Sequence, residues 1–371
     1  MIVRNISKFT CSVYRFVSPL VAETLKRCSI DEYFLQPAKA LVSVDRRRFL
    51  LSGGGYMENI MDTYHFSCET EREVYVFEQI VKDLSLDQEG RGSIYVEPAI
   101  IVDNSDNIAE NLGNCVLDVG NVATKLTGIY CIIQRGRGDI IAKTAIDTGT
   151  SVPAIYYGVG GGIRDRMGLI RITIPAEKEM ANIIVTEHDC AGMMNILIDA
   201  GNLDRPGMGF IFNYPVTRAV TDTRTYIGRS RSAASIGQIV KAIDGLEGNT
   251  EWRKRVINPL NIKERNFLKN LDNITLICDD TKAKEMLDVA MCAGATGATL
   301  SKCRRNVLSK ESGTQNKKSV EMADMVISTS QKSDIIQALI NAGFFTRDIN
   351  GTILIRKSQL AFSYTDNGKS Q

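Results

Sequence analysis

The feature that most constrains this chain is internal repetition. One ungapped shift lays Gly90, Gly92, Ile94 and Pro98 on Gly207, Gly209, Ile211 and Pro215, and Phe77, Ile80 and Leu86 on Met194, Leu197 and Leu203. A second lays Leu339, Gly343, Arg347 and Gly351 on Leu197, Gly201, Arg205 and Gly209. A third brings Ile274, Ile277, Ala290 and Gly294 onto Ile129, Ile132, Ala145 and Gly149. Any two helix–glycine–strand segments share a few matches by chance. Independent shifts that select the same glycines and the same helix face argue instead for three copies of one unit.

The central copy shows the pattern most clearly. An apolar run (Ile129 to Ile133) precedes a helical face (Ile140, Ile141, Ala145, Ile146). Then come Ile155-Tyr156-Tyr157, a β-rich stretch (Leu169 to Thr173, then Ile183 to Val185), a helix carrying Met193, Met194 and Leu197, and a closing run to Phe212. Periods of 2 and 3.6 alternating in this order read as βαββαβ, so the expected fold is α+β, three tandem ferredoxin-like units. The expected boundaries are 7–104, 126–222 and 271–365, with a linker at 105–125 and a helical linker at 223–270. The latter holds Arg224, Arg229, Arg231 and Trp252. In the first copy, Phe9 to Phe16 reads as a strand and 45–61 as a loop with Arg46 to Arg48. Thr70 and Glu73 are spaced as a capping box. In the third, Cys303 to Lys318 reads as a polar, basic loop.

Composition removes several classes. Of 371 residues 44% are apolar and 24% charged, with net charge +2, so neither nucleic acid nor an anionic membrane is an expected partner. Nine cysteines without a CxxC pair and only two histidines argue against a disulfide framework or a zinc site, and for a reducing cytosol. No apolar run approaches the roughly 18 residues of a membrane span, and no signal peptide is read at the start. A cytoplasmic chain is expected. His65 and His188 lie far apart, and no Ser-His-Asp, Cys-His or paired-carboxylate motif stands out, so the expectation is no enzyme and no required cofactor.

Arg135-Gly136-Arg137-Gly138, Gly158-Val159-Gly160, Ile174 to Glu179, the Gly201 to Val216 segment and Ala293-Gly294-Ala295-Thr296-Gly297-Ala298-Thr299 carry a resemblance. The chain resembles the PII signal-transduction superfamily, in its shorter-looped branch. That resemblance implies a covalently linked pseudo-trimer with adenine nucleotides (ATP, ADP or AMP) in the clefts between units. It also implies regulation of a partner protein in nitrogen or carbon metabolism. The implied phosphate-facing residues are Gly90 and Gly92, Gly207 and Gly209, and Gly351. Gly158, Gly160, Gly161, Gly162, Arg164 and Arg166 come from the second-strand loop. Conventional members place a lysine after the second glycine of the closing turn, where this chain has Ser93, Phe210 and Thr352, so Arg164, Arg166 or Arg205 would have to substitute.

Other readings stay open at this level. Gly160 to Gly162 suits either a tight turn or a ligand loop, and Arg135 to Gly138 either a strand-to-helix turn or an anion site. Tyr56 suits a plain loop residue. The expected function is a non-enzymatic regulator sensing a small anionic metabolite; the alternative is a scaffold with decayed sites that binds a protein constitutively. The expected state is a monomer, with a dimer as alternative.

Overall fold

The computed structural model describes residues 2–44, 56–103, 124–162, 177–222, 226–227, 243–246, 248, 265–308 and 315–364. The expected strand at 169–173, Arg46 to Arg48, Arg164, Arg166, the 105–123 part of the first linker, and Arg224, Arg229, Arg231 and Trp252 lie outside them. The first segment runs β1 (Ile2–Tyr14), α1 (Ser18–Arg27), β2 (Glu32–Val44), β3 (Tyr56–Glu69), α2 (Glu73–Leu84), β4 (Gly92–Asp103). The second runs β5 (Leu126–Gln134), α3 (Gly138–Asp147), β6 (Ala154–Gly162), β7 (Glu177–Thr186), α4 (Glu187–Gly201), β8 (Gly209–Val216), followed by short β9 (Arg218–Val220) and β10 (Tyr226–Ile227). The third runs β11 (Leu271–Asp279), α5 (Ala283–Cys292), β12 (Gly297–Leu308), β13 (Gln315–Ser328), α6 (Lys332–Asn341), β14 (Thr352–Ser358), β15 (Ala361–Ser363).

The strands alternate, and both phases of the alternation are buried. On β1, Phe9, Cys11 and Val13 face one way and Lys8, Thr10 and Ser12 the other, all of them buried. The apolar phase packs under helices. The α1/α2 pair covers Phe9, Phe66, Ile80 and Ile94, the α3/α4 pair covers Ile129, Ile183, Met194 and Leu197, and the α5/α6 pair covers Ile274, Met286, Leu339 and Ile355. Full burial of side chains this size contributes about 1.5–3 kcal/mol each, so these three cores hold the helices to the sheet.

The other phase decides the architecture and corrects the expected fold. The strands form one continuous sheet, not three tandem ferredoxin-like units gathered into a pseudo-trimer. β4 pairs with β14, β6 with β12, and β2 with both β12 and β6. The circuit β2-β3-β1-β4-β14-β11-β13-β12-β6 therefore closes on itself as a nine-stranded antiparallel barrel. Continuing from β6, strands β7, β5, β8 and β15 extend the sheet. The physical reason is the edge: backbone N–H and C=O groups at a strand edge must be paired or covered, and here the neighbouring segment pairs them.

Local expectations are also corrected. Residues 303–308 and 315–318 are strand, because Arg304 to Val307 pair with Leu35 to Glu32 across the closure and β13 pairs along β12. Residues 56–61, placed in a loop from sequence, begin β3. The Thr70/Glu73 capping box does not form. Residues 70–72 make a 3-10 turn, and Glu73 instead accepts from Ser7 Oγ at 2.6 Å and Thr217 Oγ1 at 2.9 Å. No described helix is long and apolar enough to cross a membrane.

Candidate functional site

Two cavities concentrate the chemistry. The first is a cleft of about 1480 Å³ where β6 meets α5 and β12. Gly158, Gly160 and Gly161 form one wall together with Gly207 and Gly209. Lys284 and Leu287 of α5, Thr296, and Gly297 and Lys302 of the adjacent β12 also line it. Arg135 and Lys178 add basic groups, balanced by Glu177, Asp280, Asp288 and Glu321. Arg135 binds Glu177 at 2.7 Å on an open surface, where a pair contributes little. Burial pushes the Glu321 carboxyl up, against the pull of nearby Lys302, and Asp280 adds to the rise.

The cleft gathers five of the residues selected from sequence, with their roles changed. Gly158 to Gly162 are a strand, not a loop: Val159 to Gly162 pair with Leu300 to Gly297. A Cβ on Gly158 would stand 2.7 Å from the Leu300 carbonyl oxygen, so glycine is required there for β6 and β12 to approach. Gly209 has φ +156°, and a Cβ on it would lie 2.3 Å from the Ile132 carbonyl oxygen, so it serves the β8–β5 pairing. Gly207 borders the cleft and its carbonyl accepts from Gln134 Nε2 at 3.1 Å.

The remaining candidates lie elsewhere. Arg205 is exposed in the turn after α4 and lines neither cavity. Gly351 borders the second cavity. Gly90 donates its N–H to Asp222 Oδ1 at 2.9 Å in a buried setting, and Asp222 is itself held by Ser93 Oγ at 2.8 Å. Gly92 pairs β4 with β1. At Arg135 to Gly138 the outcome is similar: Glu179 Oε2 accepts from Gly136 N at 3.0 Å and Gly138 N at 2.6 Å. Two turns that could cradle an external anion thus hold carboxylates of the chain itself. Tyr56 sits at the start of β3 with its hydroxyl on Asp147 at 2.7 Å.

The second cavity, about 990 Å³, is the barrel lumen. The polar phase of the strands points here. Lys8 Nζ donates to Glu97 Oε1 at 2.9 Å and Thr10 Oγ1 at 3.3 Å. Arg356 donates to Glu97 Oε2 at 3.1 Å, Asp324 Oδ1 at 3.0 Å and Thr275 Oγ1 at 2.6 Å. Burial alone would raise the Glu97 carboxyl, but Lys8 and Arg356 outweigh it and hold it below the ordinary carboxylate value. For Lys8 burial wins and its ammonium falls below the ordinary lysine value. Burial, with Lys8 and Arg356 nearby, drives His65 well below 6.5. The Gln36 Oε1 acceptor at 3.1 Å places the His65 proton on Nε2, leaving Nδ1 to accept from Thr10 at 3.2 Å. Burial also lifts the Tyr95, Tyr130 and Tyr214 phenols well above their ordinary value. Gln36, Phe212 and Asp324 border both cavities.

Sequence reasoning missed this lumen. Its trace is present in Lys8-x-Thr10-x-Ser12, Tyr95-x-Glu97 and Asn273-x-Thr275, a polar residue at every second position of otherwise apolar strands. That pattern normally marks a solvated face. Among the described residues, no cluster of three or more His, Cys, Asp or Glu is placed to hold a metal.

No family model and no curated protein matches this chain. Among solved structures it is similar to the citrate-bound PII of Arabidopsis thaliana, with 18% identity over 26% of this chain and 78% of that one, at a TM-score of 0.21. A Bacillus cereus protein related to NIF3 is 14% identical over 27% of this chain, TM-score 0.21. The aspartate kinase of Synechocystis is 10% identical over 95% of this chain, TM-score 0.21. The match spans 29% of the NIF3-related chain and 44% of the aspartate kinase. The PII likeness covers about a quarter of the chain, and at this level of superposition none of the three defines a family or an activity.

Proposed function

We propose that this chain is a non-enzymatic regulatory protein that senses a small anionic metabolite, of the adenine-nucleotide class, in the cleft between β6 and α5. Ligand-dependent rearrangement of that cleft would then be read by a partner protein. The observation that carries the proposal is that Lys178, Lys284 and Lys302 line one open cleft together with a glycine-rich strand end (Gly158, Gly160, Gly161). Lysines meet phosphate as point charges.

The test is a thermal-shift series with ATP, ADP, AMP, cyclic nucleotides and 2-oxoglutarate, with and without magnesium. A ligand that binds only the native state stabilises it by about 2.7 kcal/mol at a hundred times its dissociation constant. Such a shift is expected, and Lys302→Ala should abolish it. Silence across the whole series overturns the proposal. It would favour a scaffold that binds a protein constitutively, a reading to which the self-filled turns at Gly90 and Gly136 lend specific support.

A further inference from the structure

The lumen has a charge pattern of its own that selects among ligands, although Asp324 and Phe212 also border the cleft. Two cations, Lys8 and Arg356, face two carboxylates, Glu97 and Asp324, and these pair at 2.9 to 3.1 Å. His65 joins them as a neutral imidazole. At the inner end the formal charges of this network sum to zero, with Glu97 lying behind Lys8 and Arg356 and the charges alternating along the network. A ligand with net charge would bring an uncompensated charge into poorly solvated space, which is costly. A dipolar ion brings none, and each of its poles meets an opposite one.

Capacity for such a ligand remains. Lys8 has three donors, of which Glu97 and Thr10 take two. Asp324 accepts from Arg356 and Thr275 through Oδ1, which leaves Oδ2 for a ligand. The Tyr130 side chain borders the lumen. Phe212, its ring 5.2 Å from that of Tyr130, supplies an apolar surface beside it, and Met322 and Leu354 line the cavity from a separate cluster. Arg4, Asp103, Glu32 and Arg305, all partly exposed, line the surface end of the cavity and form a route inward. At about 990 Å³ the space lies at the upper end of ordinary small-molecule sites.

We propose that the lumen is a second binding site, for a small zwitterion of the α-amino-acid type with an apolar side chain. Its carboxylate meets Lys8, its ammonium meets Asp324, Tyr130 orients it, and Phe212, packed on Tyr130, receives the side chain.

The test uses calorimetric titration of the full chain with leucine, methionine and phenylalanine. Each is compared with its amide, which keeps only the ammonium, and its N-acetyl derivative, which keeps only the carboxylate. The expected result is saturable binding of at least one free amino acid and at least tenfold weaker binding of both single-charge derivatives. Tyr130→Phe, which removes one hydroxyl and preserves the ring, should weaken the amino acid at least fivefold. No binding of any free amino acid to protein whose circular dichroism shows a folded chain overturns the proposal. So does equal affinity for a single-charge derivative. Unchanged affinity in a folded Tyr130→Phe variant moves the ligand out of the lumen and overturns it too. Should that variant fail to fold, the comparison of derivatives on the unaltered chain decides alone.

Discussion

Removing Arg356 should be among the most damaging single changes on the polar side of the sheet. Its guanidinium bridges Glu97 on β4 to Asp324 on β13, so it joins the first segment to the third along the barrel wall β4-β14-β11-β13. Arg356→Met keeps most of the side-chain bulk and deletes the charge. Among the described residues Glu97, 2% exposed, is then left with Lys8 as its only paired cation, and Asp324 with none in direct contact. Breaking a buried pair from one side costs about 3–5 kcal/mol, because the partner remains charged and poorly solvated. Asp324 is 18% exposed toward the cavities and is partly screened, which puts the expectation near the lower figure, about 3 kcal/mol. Native domains retain roughly 5–15 kcal/mol, so this is a large fraction. The assay is urea unfolding followed by circular dichroism, for Arg356→Met, Glu97→Gln and the double variant. The double should lose clearly less than the sum of the singles, because Glu97→Gln removes the charge that Arg356→Met strands. A loss under about 0.5 kcal/mol, or additivity within about 0.5 kcal/mol, would refute the coupling.

Two further outcomes follow from the same geometry. His65 is held neutral in the folded chain and takes its proton near 6.5 when unfolded. The unfolded state therefore binds more protons as pH falls below 6.5, and the native state loses stability there, by at most about 1.4 kcal/mol per pH unit. His65→Gln should flatten that slope between pH 6.5 and 5. The Glu97 contribution has its own window: it is fully present above the ordinary carboxylate pKa of 4.5 and is lost as pH falls through the lower folded value. Melting temperature against pH separates the two, and an unaltered slope in His65→Gln would discard the assignment to His65. At the first glycine turn, Asp222→Ala orphans the buried Gly90 N–H and should destabilise by roughly 1–3 kcal/mol, read by the same urea titration. Full stability in that variant would mean that the carboxylate does not satisfy the turn.

The positions of Gly90, Gly207 and Gly209 and the apolar helix faces were legible in the sequence because they obey local rules. A helix turns every 3.6 residues whatever surrounds it, and the turns at Gly90 and Gly207 share a left-handed φ near +75°. So Ile80, Leu197 and Leu339 could be assigned to the core from periodicity, and all three are buried there.

The function of the glycines was not legible. Glycine at Gly158 reads the same whether it yields to a ligand or to the Leu300 carbonyl of a strand 142 positions away. Only the closure of β6 on β12 distinguishes the two. The same holds for Lys8, Thr10 and Ser12. Alternation alone says that one face of β1 is polar; whether that face meets water or an enclosed lumen depends on the pairing of β4 with β14 and of β2 with β12 and β6. Edge pairing is non-local, set by backbone groups that every residue carries alike, so side-chain pattern has little to say about it. The local pattern thus determined which faces are apolar, and the closed sheet decided what the polar faces enclose.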